Sequence, residues 1–292
     1  MRNLFLRNIL IMSAILISNV VVAGKPAYML YNAKGKTVKY NKMLKQASKA
    51  DIVLFGELHN NPISHWLQYE LTRDLHSIYG DSLILGAEMF ESDNGLILNE
   101  YVTGVIRTRN FEAEAKLWPN YKTDIKPLVE FARENKLQFV ATNVPRRYAA
   151  MVNFGGFEAL EELSDEAKKL LPPLPVAFDP DLPQYLKMSE MMGQMGNHAN
   201  NNLVKAQALK DATMAHFILE NYKPGKIFLH FHGSFHSDFY EGIMWYLLLQ
   251  NPDLKIITIA STELDEEGRL PEDRIGAADF IIATPQGMTK TH

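Results

Sequence analysis

The sequence predicts an α/β fold, in which a largely parallel sheet carries helices on both of its faces. Three observations lead to this prediction: apolar runs of strand length recur along the chain, amphipathic stretches of helical period separate most of them, and the chain is long enough to bury a core. It has 292 residues, 47% of them apolar. The runs that we interpret as strands are Ile52–Phe55, Leu83–Ala87, Gln138–Thr142, Lys226–His230, Lys255–Ala260 and Phe280–Ala283.

The first residues have the composition of a secretory leader. Arg2 and Arg7 flank a short positive region, and the apolar run Ile9–Val22 ends in the small residues that precede signal-peptidase cleavage. We therefore assign residues 1–23 to a signal peptide and expect an exported protein, located in the periplasm, released, or associated with the outer membrane. Because the chain has no cysteine, it forms no disulfides and is not a cysteine-anchored lipoprotein.

The elements between the strands follow from the same patterns. Amphipathic stretches predict helices over His65–Ile78, Ile125–Asn135 and Phe235–Gln250. Before the first long strand, two short apolar runs flank Asn32-Ala33-Lys34-Gly35, which indicates a small edge hairpin.

The alternation of strands and helices stops between residues 144 and 222. This segment contains the proline-rich run Pro172-Pro173-Leu174-Pro175, followed by helical patterns at Gln184–Gly196 and Asn200–Glu220. We interpret residues 144–222 as a helical cap subdomain, inserted between strands of a core that residues 24–143 and 223–292 form. The prolines restrict the backbone and are expected to hold the cap at a fixed angle.

Polar residues follow four of the predicted strands. They are Gly56-Glu57-Leu58-His59, Glu88, Asn143-Val144-Pro145-Arg146-Arg147 and His230 to His236. Ligands of an open parallel sheet bind beyond the carboxyl ends of its strands, and histidine and carboxylate oxygen bind divalent metals. We therefore predict a divalent metal site formed by Glu57, His59, His232 and His236. The alternative is that these histidines cap helices or bind carbonyl groups.

Methionines share one face of the first cap helix. Met188, Met191, Met192 and Met195 follow helical spacing, and His198 continues that face. Such a stripe is ordinarily a soft core surface. With a nitrogen ligand at its end, it also suits a flat apolar macrocycle that contains iron.

The three residues Arg146, Arg147 and Tyr148, which come after the third predicted strand, also suit a haem site. Arg146 and Arg147 would pair with propionate carboxylates, and the Tyr148 phenolate, like His198, would serve as an axial ligand of haem iron. The alternatives are solvated surface arginines and a packing tyrosine.

Taken in order, these pieces resemble the ChaN-like haem-binding uptake proteins, within the wider group of Tiki proteins, TraB proteins and erythromycin esterases. The matching pieces run from Asp51 to Ala283 and add Gln207 to Ala215 to the motifs above. The resemblance implies an α/β core with a helical cap, haem bound near the cap as a cofacial pair between two subunits, and a role in iron acquisition with an outer-membrane haem transporter as partner. Together with the cap and strand-end patterns above, it leads us to expect haem contacts from Tyr148, His198, Arg146, Arg147, Met191 and Met195.

Two enzymatic hypotheses compete with a haem carrier. In a metal-dependent hydrolase, Glu57 or Glu88 would act as general base, although the His-Glu-x-x-His signature of common zinc proteases is missing from the sequence. In a haem chelatase, the same Glu and His cluster would accept pyrrole protons. The net charge of −4 argues against a nucleic-acid partner.

Overall fold

A seven-stranded sheet forms the centre of the protein. The structure, a computed structural model, describes residues 24–194 and 201–292. The strand order is β1-β7-β6-β2-β5-β3-β4, and every neighbouring pair is parallel except β1 with β7. The strands are β1 (Met29–Asn32), β2 (Ile52–Glu57), β3 (Leu83–Glu91), β4 (Gln138–Asn143), β5 (Ile227–Gly233), β6 (Ile256–Glu263) and β7 (Phe280–Thr284). All six predicted strands are therefore confirmed.

The helices cover both faces of this sheet. Residues of α2, α3 and α5 share one apolar core with the sheet, and residues of α6, α9 and α10 share a second. None of the described helices is long and apolar enough to cross a membrane. The α-helices are α1 (Tyr40–Ala47), α2 (Pro62–Tyr79), α3 (Gly95–Val102), α4 (Thr108–Glu114), α5 (Lys126–Asn135), α6 (Arg146–Gly155), α7 (Asp165–Lys168), α8 (Pro183–Gln194), α9 (Asn201–Asn221) and α10 (Ile243–Gln250).

The sheet centre explains the continuous apolar runs of the sequence. All six residues of β2 are buried, because β2 lies between β5 and β6 and helices cover its two faces. Its last residue, Glu57, pairs in register with Gly233 of β5. A polar group at the end of β2 is therefore delivered to the middle of the sheet edge.

Two predicted elements differ from the structure. The helix predicted over Phe235–Gln250 begins only at Ile243, because Phe239, Tyr240 and Gly242 have positive φ angles that a right-handed helix does not accept. The predicted edge hairpin is reduced to one bridge between Tyr31 and Thr37, since β1 pairs with β7 instead.

The segment predicted as a cap contains helices and no strand within its described residues, and a non-helical stretch over 169–182 separates α7 from α8. Two of its helices, α6 and α9, pack on each other and on the sheet, so they belong to the helical layer that also contains α10. A separate small cluster joins α8 to α9 through Tyr185, Val204 and Ala208. An independent subdomain over residues 144–222 stays a prediction.

Candidate functional site

The carboxyl ends of four neighbouring strands meet at one edge of the sheet, and polar side chains lie at or just after these ends. Glu57 ends β2, Glu88 lies at an irregularity near the end of β3, Asn143 ends β4 and Gly233 ends β5. These strands are adjacent in the order β2-β5-β3-β4. The edge thus collects groups that lie far apart in the sequence.

A hydrogen-bonded pair, Glu57 and His59, lies at the centre of this edge. Oε1 of Glu57 lies 2.9 Å from Nδ1 of His59, and the other oxygen accepts a hydrogen bond of 2.5 Å from Gln68. Burial favours the neutral form of His59, but the hydrogen bond to Glu57 and the charges of Glu88 and Glu57 outweigh it and raise its pKa. The His59 side chain is 39% exposed, whereas that of Glu57 is fully buried.

The loop that carries His59 is held from below. The backbone carbonyl oxygen of His59 accepts hydrogen bonds from Asn120 (3.1 Å) and from Nε2 of His65 (3.0 Å). Asn61 caps α2 by accepting from the backbone N–H groups of Ile63 and Ser64, and Pro62 occupies the first helical turn. The strand-to-helix connection is therefore short and fixed, which fixes the His59 ring above it.

A second cluster of buried charges joins α9 to the same edge. His236 contacts Asp211 through Nδ1 (2.5 Å) and Glu88 through Nε2 (3.2 Å). Burial would lower the pKa of His236, but the two carboxylates raise it to about 10. Burial would likewise raise the pKa of Glu88, yet His236, His59 and the Gly233 N–H (2.8 Å) hold it well below its usual range. His236 is thus an imidazolium held between carboxylates.

Sequence reasoning missed Asp211, although a signal was present. Asp211 follows Ala208 and Leu209 within the apolar run of α9, and its side chain is buried there. Burial raises its pKa against the opposing effect of His236, and its second oxygen accepts a hydrogen bond of 2.8 Å from Tyr185. A charge within an apolar helix face indicates a buried partner.

His232, which the sequence assigned to a metal site, does not join these groups. It is fully buried, and its ring nitrogens are engaged by His230 (3.0 Å) and Ser237 (2.8 Å). Side chains alternate along a strand, so His230 and His232 lie on the same sheet face as Phe228 of the second core. Burial lowers the pKa of His230 to about 3 and that of His232 far below its usual value.

The predicted metal site of Glu57, His59, His232 and His236 is therefore not assembled as one donor set. Within residues 24–194 and 201–292, no group of three or more His, Cys, Asp and Glu side chains is arranged to hold a metal ion.

Two clefts open at this edge and share His59, Glu88 and Lys210. The first, which we name the α6–α9 cleft, has a volume of about 480 Å³. The second, the β5–β6 cleft, has about 490 Å³. The α6–α9 cleft is lined by Glu91, Trp118, Asn143, Val144, Arg146, Ala149, Ala150, Asn153, Leu203 and Ala206, besides the three shared residues. The β5–β6 cleft is lined mainly by polar residues, among them Gln207, Ser234, His236, Asp238, Ser261, Thr262 and Arg274.

Trp118 and Lys210 are contributors that the sequence did not reveal. The Trp118 ring meets the His59 ring edge-on, with centroids 5.1 Å apart. Lys210 lies between the two clefts and forms no ion pair with a described residue. Trp118 belongs to no motif, and Lys210 lies within the matching piece Gln207 to Ala215, where the sequence assigned it no role. The fold places both residues in the same cleft as His59.

The residues predicted to contact haem divide into three groups. Arg146 lines the α6–α9 cleft and forms no ion pair within the described residues, whereas Arg147 pairs with Asp93 (2.5 Å) and stacks on Tyr148. Tyr148 is buried in the second core, and its hydroxyl accepts a hydrogen bond from Arg147. Met191 is 55% exposed on α8 and lines neither cleft, while Met195 and His198 lie outside the described residues.

The fold is similar to that of a solved structure reported as cofacial haem binding to ChaN of Campylobacter jejuni. The two chains are 17% identical, the match covers 87% of this chain and 96% of that one, and the TM-score is 0.66. A Bacillus cereus protein of 13% identity matches with a TM-score of 0.49, over 88% of this chain and 94% of its own. The open conformation of a mutant erythromycin esterase, EreC, of 12% identity, matches with a TM-score of 0.46 over 89% and 83%.

The sequence itself gives a family match. No curated protein matches the chain. The model of the family described as "Haem-binding uptake, Tiki superfamily, ChaN" matches residues 43–247, which is more than half of the chain and includes both clusters at the sheet edge. The chain therefore belongs to the haem-binding uptake family of ChaN, within the Tiki superfamily.

Proposed function

We propose that this protein binds haem in the α6–α9 cleft and that His59 is the iron ligand. Membership of the haem-binding uptake family supports haem as the bound molecule. The observation that carries the proposed site is the Glu57–His59 pair: Nδ1 of His59 faces a buried carboxylate, and the partly exposed ring borders the cleft.

The chemistry of this pair fits a metal ligand. An ionised carboxylate only accepts hydrogen bonds, so Nδ1 of His59 carries a hydrogen, and in the neutral ring Nε2 keeps its lone pair. Within the described residues, Nε2 has no hydrogen-bond partner of its own. Histidines that bind metals commonly donate their other N–H to a carboxylate in this manner, which fixes the tautomer and the ring orientation.

The walls of the cleft fit a flat amphiphilic ligand. Val144, Ala149, Leu203 and Ala206 present apolar surface, and Trp118 adds an aromatic face beside His59. The cleft volume of about 480 Å³ lies within the range of small-molecule sites.

Two cations at this cleft suit carboxylate groups. Arg146 and Lys210 both line it without an ion-pair partner among the described residues, so both are available to propionates. Arg147, which the sequence also assigned to propionates, is already engaged by Asp93.

When bound, haem would supply an iron centre, and the protein's residues would hold it. His59 binds the iron, Glu57 fixes its tautomer, the apolar wall excludes water from the macrocycle, and Arg146 with Lys210 retains the propionates.

The test is an absorption titration of the purified protein with haemin. We expect saturable binding, with an affinity lowered about 100-fold or more in His59→Ala, because a lost metal ligand costs at least as much as a lost second-shell partner. The control is His76→Ala, which removes a partly exposed histidine on α2 that contacts Phe131. If His59→Ala binds haemin as the wild type does, the proposed ligand is wrong.

Two other ligands remain predictions. Tyr148→Phe is expected to leave the haemin spectrum unchanged, because the Tyr148 ring is buried in the second core and its hydroxyl accepts a hydrogen bond from Arg147. A changed spectrum in Tyr148→Phe would instead make the phenolate the ligand. His198→Ala tests the remaining residue in the same titration.

We further propose that the protein is exported and works in iron acquisition, passing haem to an outer-membrane transporter, and that haem binding joins two subunits. The leader-like residues 1–23 support export. Mass spectrometry of the periplasmic fraction should find a chain that begins at Gly24. Light scattering with and without haemin tests the dimer.

A second candidate function is acid–base hydrolysis in the β5–β6 cleft. The observation that favours it is that His59, oriented by Glu57, borders this polar cleft together with the imidazolium of His236. A base oriented by a carboxylate is the arrangement that activates water. Hydrolysis of an activated ester, lost in His59→Ala, would support this candidate, and equal rates in both proteins would remove it.

A further inference from the structure

We propose that the Glu57–His59 pair makes the site select ferric over ferrous haem, so that reduction of the iron loosens haem from the protein. The inference rests on the proposed function and adds a redox preference to it. It depends on the fixed position of two carboxylates near the His59 ring.

The first carboxylate is immobilised by contacts on both oxygens. Oε1 of Glu57 binds Nδ1 of His59, while Oε2 accepts from Gln68 and lies 3.5 Å from His65. The side chain is fully buried, so water does not compete for it. Glu57 therefore cannot turn away from His59 without breaking buried hydrogen bonds and leaving buried polar groups unpaired.

This hydrogen bond acts on the iron through the ring. Donation of the Nδ1 hydrogen to a carboxylate raises the basicity of Nε2. A more basic nitrogen binds Fe³⁺ more strongly than Fe²⁺, because the charge on the metal is larger. Hydrogen bonding to the axial ligand is accordingly one of the means by which proteins set haem potentials.

The second carboxylate adds a charge on the same side of the ring. A Cβ placed on Gly233 would lie 2.7 Å from Nε2 of His59 and 3.7 Å from Oε2 of Glu88, so these two groups border the same small space. Oε2 of Glu88 is fixed by the N–H of Gly233 at 2.8 Å.

The cations around this space do not cancel the effect. His236 is flanked by two carboxylates, Glu88 and Asp211, so this group of three is negative overall. Lys210 and Arg146 line the cleft, where bound propionates would occupy them. The ferric porphyrin core carries one positive charge and the ferrous core none, so Glu57 and Glu88 stabilise the ferric state.

The redox step is simple to balance. A low-potential one-electron donor delivers one electron to the iron, Fe³⁺ becomes Fe²⁺, and no proton or leaving group is required. The His59–iron bond then loses the part of its strength that depended on the ferric charge. A ligand shifts such an equilibrium only by its differential affinity for the two states.

The test is the reduction potential of bound haem in the wild type and in Glu57→Gln, measured by spectroelectrochemistry. We expect Glu57→Gln to raise the potential by about 59 mV for each tenfold loss of ferric preference. Glu220→Gln is the matched control, since it removes the same charge from an exposed position near the end of α9. Its potential should equal that of the wild type.

The outcomes separate this inference from the proposed function. No haemin binding by the wild type overturns both. Haemin binding that depends on His59, with equal potentials in the wild type and Glu57→Gln, overturns the redox preference alone.

A second measurement uses only the wild type, in case Glu57→Gln does not fold. Resonance Raman spectroscopy of the dithionite-reduced protein should place the iron–histidine stretching band above that of haem ligated by free imidazole. Equal frequencies would mean that Glu57 leaves the ligand unchanged, and the inference would then be wrong.

Discussion

Gly233 and His59 approach so closely that no side chain fits between them. A Cβ on Gly233 would lie 2.7 Å from Nε2 of His59, below the range of real contacts. The φ angle of Gly233 is −63°, which any residue adopts, so the requirement for glycine is spatial and not conformational. The end of β5 therefore determines where the proposed iron ligand stands.

Gly233→Ala should displace the His59 ring and weaken haemin binding by about tenfold or more, because misplaced ligands lose much of their binding energy. The measurement is the haemin titration. Gly95→Ala serves as control, since a Cβ there meets nothing within 4 Å. If both variants bind haemin like the wild type, His59 does not need its described position.

Arg146→Ala should weaken haemin binding by about tenfold and leave the iron spectrum unchanged, because a charged hydrogen bond is worth about 1.5–3 kcal/mol and a propionate partner does not touch the metal. Haemin dimethyl ester, whose propionates are blocked, should bind Arg146→Ala and the wild type equally. Arg73→Ala, on α2, provides the control for a lost surface arginine. A spectral change in Arg146→Ala would argue against the propionate role.

Gly86→Ala should lower the free energy of unfolding by about 1–3 kcal/mol, the usual cost of overpacking a core. A Cβ on Gly86 would lie 2.7 Å from the ring of Phe228 on the neighbouring strand. Phe228→Leu should recover part of this loss in the double variant. Urea denaturation of the four proteins measures the coupling, and strictly additive losses would contradict the predicted clash.

The stability of the wild type should decrease as pH rises above neutrality because of His236. Its pKa is raised to about 10, so its stabilising contribution is complete below the ordinary value of 6.5 and is lost as pH rises through the folded pKa. Between pH 7 and 9 the free energy of unfolding should fall by up to about 1.4 kcal/mol per pH unit more in the wild type than in His236→Gln. If the free energy of unfolding, measured by urea denaturation, has the same pH dependence in both proteins, His236 is not an imidazolium at neutral pH.

The sheet was predictable because burial on both faces leaves a simple trace. Runs such as Ile52–Phe55 and Phe280–Ala283 are continuous and apolar, and the structure has strands at both. Backbone geometry was harder to predict. The positive φ angles of Phe239 and Tyr240 make α10 begin later than predicted, and neither residue type favours such a conformation. Strand order was also hidden, since nothing in the sequence pairs β2 with β5.

Some residues of the candidate site could likewise be predicted from the sequence, and others could not. Glu57, His59 and His236 could be found because they follow strands, and the rule for parallel sheets places strand ends together. His232 was also expected after the strand but lies within β5. Its ring faces the second core, because the alternation of side chains along the strand decides which sheet face each one occupies. Asp211 and Lys210 come from a helix whose rotation about its axis is set by packing.

The strand order also has a consequence for folding during synthesis of the chain. On the ribosome, β3 and β4 emerge close together and can pair at once, but β2 has to wait for β5 and β6, which lie far downstream. At about 5–20 residues per second, the apolar strand Ile-Val-Leu-Phe waits roughly 9 to 35 seconds for β5. Until β5 and β6 have been synthesised, this apolar segment is exposed in the nascent chain, where chaperones can bind it and where it is prone to aggregate.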